Sequence, residues 1–348
     1  MRNKIAIDSL KVRIPMLQAE VLDAGIFGKR YVIEAESGNI EREFDANKTS
    51  HKENGITVSF GIEKQVTDEQ KVREFLVILF NSKALKENYF DGITSDNLKK
   101  VYEYIISLNL VSFSYDAFLQ AEATDVDYKL DKVNHEFHRS MKSMRTHAKS
   151  SVQINRGINY FDSKKNRGIE FGKRHTATVS YPFLKFYNKE LELLNASDTF
   201  YSKYIKNAHD ITDLIRCEFT IKNKKHYKRY GIEDTTLQSI LSLSQEDLHA
   251  ILRQVLSVHL ERRIAPIKTI NEMTPNDRIL YNAMYVLMEQ NGMNYNLIRE
   301  TLIQGFERKE RFRKREKMDY IYETFIKGTQ ADTTAEAMNE WFEAIGWE

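Results

Sequence analysis

Hydrophobic and polar positions alternate through the first half of "KIAIDSLKVRIP", and the run stops at Pro15, which cannot donate to a sheet ladder. "YVIEAE", "GITVSFGIE" and "REFLVILFNS" predict further strands, separated by Gly, Asn and charged turns. The period then changes. In "TSDNLKKVYEYIISLNL", Leu98, Val101, Ile105 and Leu108 recur at helical spacing, with Thr94 or Ser95 as the expected N-cap. "AEATDVDYKLD" returns to a period of two, with Asp125, Asp127, Lys129 and Asp131 on one face and Val126, Tyr128 and Leu130 on the other.

"HEFHRSMKSMRTHAK" is basic and reads as helix or loop, and "GINYFDSKKNRGIEFG" predicts a hairpin turning at "SKKNRG". "TATVSYPFLKFYNK" reads as a strand that Pro182 bends or places at an edge. The clearest alternation is in "DLIRCEFTIKNKK". It places Ile215, Cys217, Phe219 and Ile221 inward, and Arg216, Glu218, Thr220 and Lys222 outward. From about Asp234 onward the pattern is amphipathic helix, broken near Pro266, Pro275 and Gly292. The expected fold is therefore α+β, a largely antiparallel sheet with helices on one face, followed by a helical domain. We expect one domain over 1–235 (strands over 1–90, a helix over 94–110, further strands over 121–222) and a second over 236–348.

The chain has 348 residues, long enough for two domains, and its 41% hydrophobic and 29% charged residues with four prolines exclude a disordered class. A single cysteine, Cys217, excludes an internal disulfide framework and a cysteine zinc cluster, which suits a reducing cytoplasm. No apolar run approaches membrane-span length and the N-terminus lacks a signal-peptide pattern, so the expected location is cytoplasmic, without a membrane partner. Net charge is only +2, but residues 132–229 hold 21 Lys/Arg against 9 Asp/Glu. That local excess suits a polyanion, because neutralised phosphates release counterions. A solvated basic face has the same composition.

Candidate chemistry gathers on three of these strands. On an extended backbone Lys185, Tyr187 and Lys189 point one way while Leu184 and Phe186 point into the core. The outward faces elsewhere offer Arg216 and Glu218, and Asp127 and Asp131. A phenol as attacking group, cations for transition-state charge and carboxylates for a divalent ion are what phosphoryl transfer to tyrosine needs. Simpler accounts stay open: tyrosine favours sheets, Arg216 and Glu218 can form an ion pair, and the aspartates can cap turns or pair with lysines.

The ordered set "AIDSLKVRIP", "LFNSKALKENYFDGITSDNLKKVYEYI", "TDVDYKLD", "FYNKELEL" and "IRCEFTIKNKKHYKRYGI" resembles the replication initiators of filamentous phages, and more distantly the rolling-circle initiators of plasmids. The likeness covers about residues 5–235 and is sharpest at "YNKELEL" and "IRCEFTIKNK". It implies a sequence-specific endonuclease in a bacterial host's cytoplasm that nicks one strand of supercoiled origin DNA and rejoins it. Tyr187 would become joined to the 5′ end through a phosphotyrosine, with Lys189 beside the phosphate and Arg216 in support. Glu218, with Asp127 and Asp131, would hold the metal, and because no His-hydrophobic-His pair is present, oxygen donors favour Mg²⁺ or Mn²⁺.

Lys185 and the basic run Lys222, Lys224, Lys225, Tyr227, Lys228 and Arg229 would contact single-stranded or supercoiled DNA. Tyr227 is the rival nucleophile, since "KNKKHYKRY" mixes basic and aromatic residues as a strand-tracking surface does. The C-terminal helices would read DNA or meet a host helicase or polymerase. Two other classes fit parts of the pattern: a non-catalytic DNA-binding replication regulator, and a metal-dependent nuclease that uses water.

Overall fold

The structure is a computed structural model that describes residues 4–23, 27, 29–33, 40–45, 48–66, 72–149, 157–206, 211–260, 268–291, 294–327 and 343. The chain is α+β with a large antiparallel sheet. In chain order the strands are β1 Ala6–Pro15, β2 Ala19–Val21, β3 Lys29–Ile33, β4 Ile40–Asp45, β5 Lys48–Glu53, β6 Ile56–Val66 and β7 Val72–Asn81. They continue with β8 Val111–Phe113, β9 Glu122–Val133, β10 Ile158–Asp162, β11 Arg167–Phe171, β12 Phe183–Asn188 and β13 Leu214–Lys222. The first six α-helices are α1 Leu98–Ser107, α2 Tyr115–Leu119, α3 Phe137–Thr146, α4 Lys189–Ala196, α5 Asp198–Tyr204 and α6 Asn223–Arg229. After them come α7 Leu237–Leu241, α8 Gln245–His259, α9 Pro275–Gln290, α10 Tyr295–Gln304 and α11 Arg311–Ile321.

These elements sort into two compact units that interleave along the chain. The first holds Met1–Asp131, Glu190–Thr212 and Glu218–Leu248; the second holds Lys132–Lys189, Asp213–Cys217 and His249–Glu348. Residues 236–248, expected with the C-terminal helices, thus belong to the first unit.

In the first unit the strand order is β13-β9-β1-β7-β6-β5. β1 is antiparallel to both β7 and β9, with Leu10 opposite Phe80 on one side and Val126 on the other. Leu10, Val12 and Ile14 are wholly buried, as their alternation requires. α1 buries Leu98, Val101 and Ile105. Its N-cap is Asn97 rather than Thr94 or Ser95: the Asn97 side chain accepts from the Thr94 amide (2.9 Å) and donates to the Gly92 carbonyl (2.7 Å), closing the preceding turn. Gly92 stands at φ +69, and a Cβ there would meet Ala6 Cβ at 2.6 Å, so only glycine fits.

The second unit orders its strands β10-β11-β12-β13. β10 and β11 form the expected hairpin, with the turn reduced to residues 163–166, where the Ser163 amide donates to the Asn166 carbonyl (2.8 Å). Pro182 precedes β12 and leaves its ladder intact. α3 answers the helix-or-loop question for the basic segment after β9; Phe137, Met141 and Met144 anchor it. Farther on, α9 starts with Thr274 as N-cap and Pro275 in its first turn, where the missing amide costs nothing. α9, α10, α11 and the π-turn Tyr322–Ile326 enclose a core that includes Met284, Met288, Ile298, Met318 and Tyr322. The breaks expected at Pro266 and Gly292 lie outside the described residues.

The strand carrying the Arg-x-Glu element departs from its predicted two-sidedness. Ile215, Cys217, Phe219 and Ile221 are buried as expected, but so are Arg216 and Thr220, leaving only Glu218 and Lys222 partly exposed. Both faces of β13 are therefore covered, as a central strand of an α+β sheet allows.

Candidate functional site

Tyr187 lies near the end of β12, opposite Gly168 of β11, while Lys185 faces Glu170 and Phe186 faces Ile169. Gly168 permits this approach: a Cβ there would come within 2.6 Å of the Phe186 carbonyl oxygen and of the Phe161 ring. Leu184 and Phe186 are core residues as predicted. The opposite side is not an open polar face, however. Tyr187 is only 4% exposed and Lys189 3%, which corrects the expectation that both stand on a DNA-facing surface. Lys189 is moreover the first residue of α4 rather than part of the strand, so the helix start, not strand alternation, aims its side chain.

Two lysines still converge on the phenol. Lys189 Nζ donates to the Tyr187 hydroxyl at 3.2 Å, and Lys185 Nζ stands 4.4 Å from the centre of the Tyr187 ring. Lys185 is also paired with Glu170 at 3.2 Å, which holds it over the ring. An ammonium donating to a phenol oxygen stabilises the phenolate more than the phenol, because the bond to a charged acceptor is the stronger one. Arg216, in the same unit, is wholly buried and held by neighbouring groups, so it acts from the interior rather than from a surface.

The entry to β12 is set by His259, at the end of α8. Its Nε2–H donates to the Pro182 carbonyl at 2.7 Å, while Nδ1 is buried without a partner among the described residues. Phe171 and Tyr181 pack against the imidazole. Burial, with a smaller push from Lys149 and opposed by the bond to Pro182, brings its pKa down from 6.5 to about 4.

The carboxylates fall in the first unit and are engaged. Asp127 accepts from Thr220 Oγ1 at 2.6 Å. Asp131 is buried and faces Lys129 Nζ at 3.2 Å. Lys129, itself buried, also donates to the carbonyls of Tyr89 (3.2 Å) and Phe90 (2.9 Å). Asp131 thus balances a buried ammonium that ties β9 to the Ser82–Asp91 segment, and its expected metal role gives way to that pairing. Glu218 is half-buried and also has an interaction partner. Among the described residues no three His, Cys, Asp or Glu side chains gather as a metal would require. The donor set drawn from the sequence does not fit a divalent ion.

Lys224, Lys225, Lys228 and Arg229 are exposed on α6, and Lys222 is half-exposed just before it, so the basic run does form a charged surface. Tyr227 does not belong to that surface. It is fully buried and its hydroxyl has no hydrogen-bond partner among the described residues, which corrects its assignment as a DNA contact. The reason is helical periodicity: with α6 laid against the sheet, His226 and Tyr227 turn inward while the cations turn out. Burial first, then Tyr128, Asp125 and Asp127, push the Tyr227 phenol well above its ordinary pKa.

Lys129 and Thr220 escaped notice as partners of the two aspartates. The signal for Lys129 was present: a lysine between Tyr128 and Leu130, two residues before an aspartate on the same strand face. Thr220 came from a different strand, and nothing local pairs it with Asp127.

Comparisons with protein-family models, with curated proteins and with solved structures returned no match. Among the described residues no helix is long and apolar enough to cross a membrane.

Proposed function

We propose that the protein nicks and rejoins one strand of origin DNA, initiating rolling-circle replication from the host cytoplasm through a covalent phosphotyrosine at Tyr187. The observation that carries this reading is the pair of ammonium groups on one phenol, Lys189 at its oxygen and Lys185 over its ring. In the reaction the Tyr187 oxygen attacks phosphorus and the bond from phosphorus to the 3′ oxygen breaks. The phenolic proton ends on that oxygen, leaving a free 3′-hydroxyl and a 5′-phosphotyrosine. One phosphoester replaces another, so the reverse step rejoins the strand without a nucleotide cofactor. The lysines supply what the transition state lacks, positive charge beside an oxygen and a phosphate that both carry negative charge. The exposed cations of α6 suit the DNA backbone on either side. The order of the strand motifs, the antiparallel α+β architecture and the basic middle of the chain support the same initiator class, with Mg²⁺ or Mn²⁺ as the ion to test. The chemistry argued for Tyr187 uses only the chain's own groups.

The burial of Tyr187 and Lys189 favours a second reading, a non-catalytic DNA-binding replication regulator in which the lysine merely satisfies a buried hydroxyl. Incubation with supercoiled origin DNA and Mg²⁺, followed by denaturing electrophoresis, separates the two. The nicking reading expects a protein–DNA adduct that survives denaturation and vanishes in Tyr187→Phe. Undiminished nicking by Tyr187→Phe removes Tyr187 as nucleophile, and cleavage without any adduct points to attack by water.

A further inference from the structure

A pocket of about 400 Å³ lies between α10 and α11, far along the chain from Tyr187. Its lining combines features that a structural cavity has no reason to combine. Arg299 is held rigidly: Nη1 reaches Asp319 at 3.1 Å and Nη2 reaches Glu300 at 3.1 Å, and Asp319 is held in turn by the Tyr295 hydroxyl. Its side chain is only 11% exposed, yet Nε has no hydrogen-bond partner among the described residues. One turn earlier on α10, the Asn296 side-chain oxygen is also buried without a partner among the described residues. A fixed donor and a nearby acceptor are thus left open on one wall. Each such buried group costs about 1–3 kcal/mol unless something satisfies it. Phe312, from α11, also lines the pocket and is 73% exposed, an aromatic face left to solvent.

Charge decides what can enter. Glu300, Glu316 and Asp319 line the pocket and repel an anion, while a cation offers no acceptor for Arg299 Nε. A neutral, flat group with a donor and an acceptor on its edge satisfies both open groups and stacks on Phe312. The positive surplus lies outside the pocket: seven of the ten residues from Arg308 to Lys317 are Lys or Arg. Arg308 and Arg313 are exposed and form no ion pair among the described residues. Neutral ring inside and phosphate outside is the layout of one nucleotide in a single strand.

We propose that this pocket holds one unpaired nucleobase of single-stranded DNA, its face on Phe312 and its edge on Asn296 and Arg299, with adjacent phosphates on Arg308 and Arg313. The choice of DNA over RNA rests on the nicking proposal; the pocket itself does not depend on it. A duplex offers no free base face here and is not the ligand.

The test uses the full-length chain in a Tyr187→Phe background, so that no cleavage can intervene. Fluorescence anisotropy is read with a labelled oligothymidylate of about 20 nucleotides, longer than a single contact site, with the matching oligouridylate and with a duplex of the same length. Phe312→Ala is expected to weaken oligothymidylate binding about 5- to 150-fold, the effect of losing one base stack. Phe312→Trp restores binding, and the duplex affinity stays where it was. Because Phe312 is outside the helical core, the substitution leaves that core intact. Unchanged oligothymidylate binding by Phe312→Ala overturns the proposal, as does an equal loss on the duplex. Tighter binding of oligouridylate overturns the assignment to DNA. Nicking is measured separately in the Tyr187 chain, so loss of that activity and loss of this site are distinct results.

Discussion

Tyr187 and Tyr227 start from the same local chemistry, a tyrosine set among lysines, and end in opposite environments. At the end of β12, two ammonium groups reach Tyr187, one donating to its oxygen at 3.2 Å. On α6 the lysines beside Tyr227 in sequence turn away to solvent, and the phenol enters a pocket with Tyr128, Asp125 and Asp127 for company. One environment favours the phenolate and the other opposes it. The difference comes from backbone periodicity. A strand, with α4 starting immediately after it, brings Lys185 and Lys189 to the side of Tyr187, whereas a helix puts residues one apart on faces about 100° from each other. Proximity of cations in sequence is therefore a poor guide to which tyrosine can attack.

The contrast can be broken most directly at Lys189. Lys189→Met keeps the bulk and removes the donor, and nicking of supercoiled origin DNA is expected to fall about 100- to 1,000-fold, the usual effect of losing one donor at a developing charge. Wild-type rates in that variant, at an unchanged melting temperature, would return Tyr187 to the same class as Tyr227.

A smaller effect is expected at His259, which holds the entry to the strand bearing Tyr187. Its folded pKa of about 4 lies below the ordinary 6.5, so between these values the unfolded chain binds more protons and stability falls as pH falls. The loss is complete only below pH 4 and amounts to about 3 kcal/mol. It follows from geometry: Nε2–H is committed to Pro182, and a proton on Nδ1 would be buried without an acceptor among the described residues. Thermal melts from pH 7 to pH 4 should show the decline in wild type and a flatter profile in His259→Gln.

The smallest effect belongs to Tyr227→Phe. Deleting a buried hydroxyl that has no partner should leave stability unchanged or raise it by up to about 1 kcal/mol, with nicking unaffected. Because the raised folded pKa penalises the native state once the unfolded phenol ionises, wild type should lose stability above about pH 10, and the variant should lose less. Equilibrium denaturation at pH 8 and pH 10.5 measures both. A nicking defect in Tyr227→Phe would reopen it as the nucleophile.

Much of this architecture was written in periodicity. β1, β6, β7, the β10–β11 hairpin, β13 and the C-terminal helices all follow from spacings of two or 3.6, because one buried face imposes that spacing locally. Arg216 and Thr220 show where periodicity stops: a strand covered on both faces buries its polar positions too, and alternation cannot report a second layer supplied from elsewhere in the chain. The same limit applies to Lys129 and Asp131, which look like surface charges in sequence and form a buried pair anchored to the Tyr89 and Phe90 carbonyls.

By itself, then, the sequence determined the element types, the hairpin turn, the basic middle segment and the tyrosine with its flanking lysines. These are properties of neighbouring residues and of the backbone's own repeat. Tertiary structure alone decided which charges are buried, which aspartates are already engaged, that Tyr227 is shut away from its lysines, and that Asn296, Arg299 and Phe312 line one pocket. Those outcomes depend on contacts between residues distant in the chain, where burial makes an unpaired group costly and so dictates its partner.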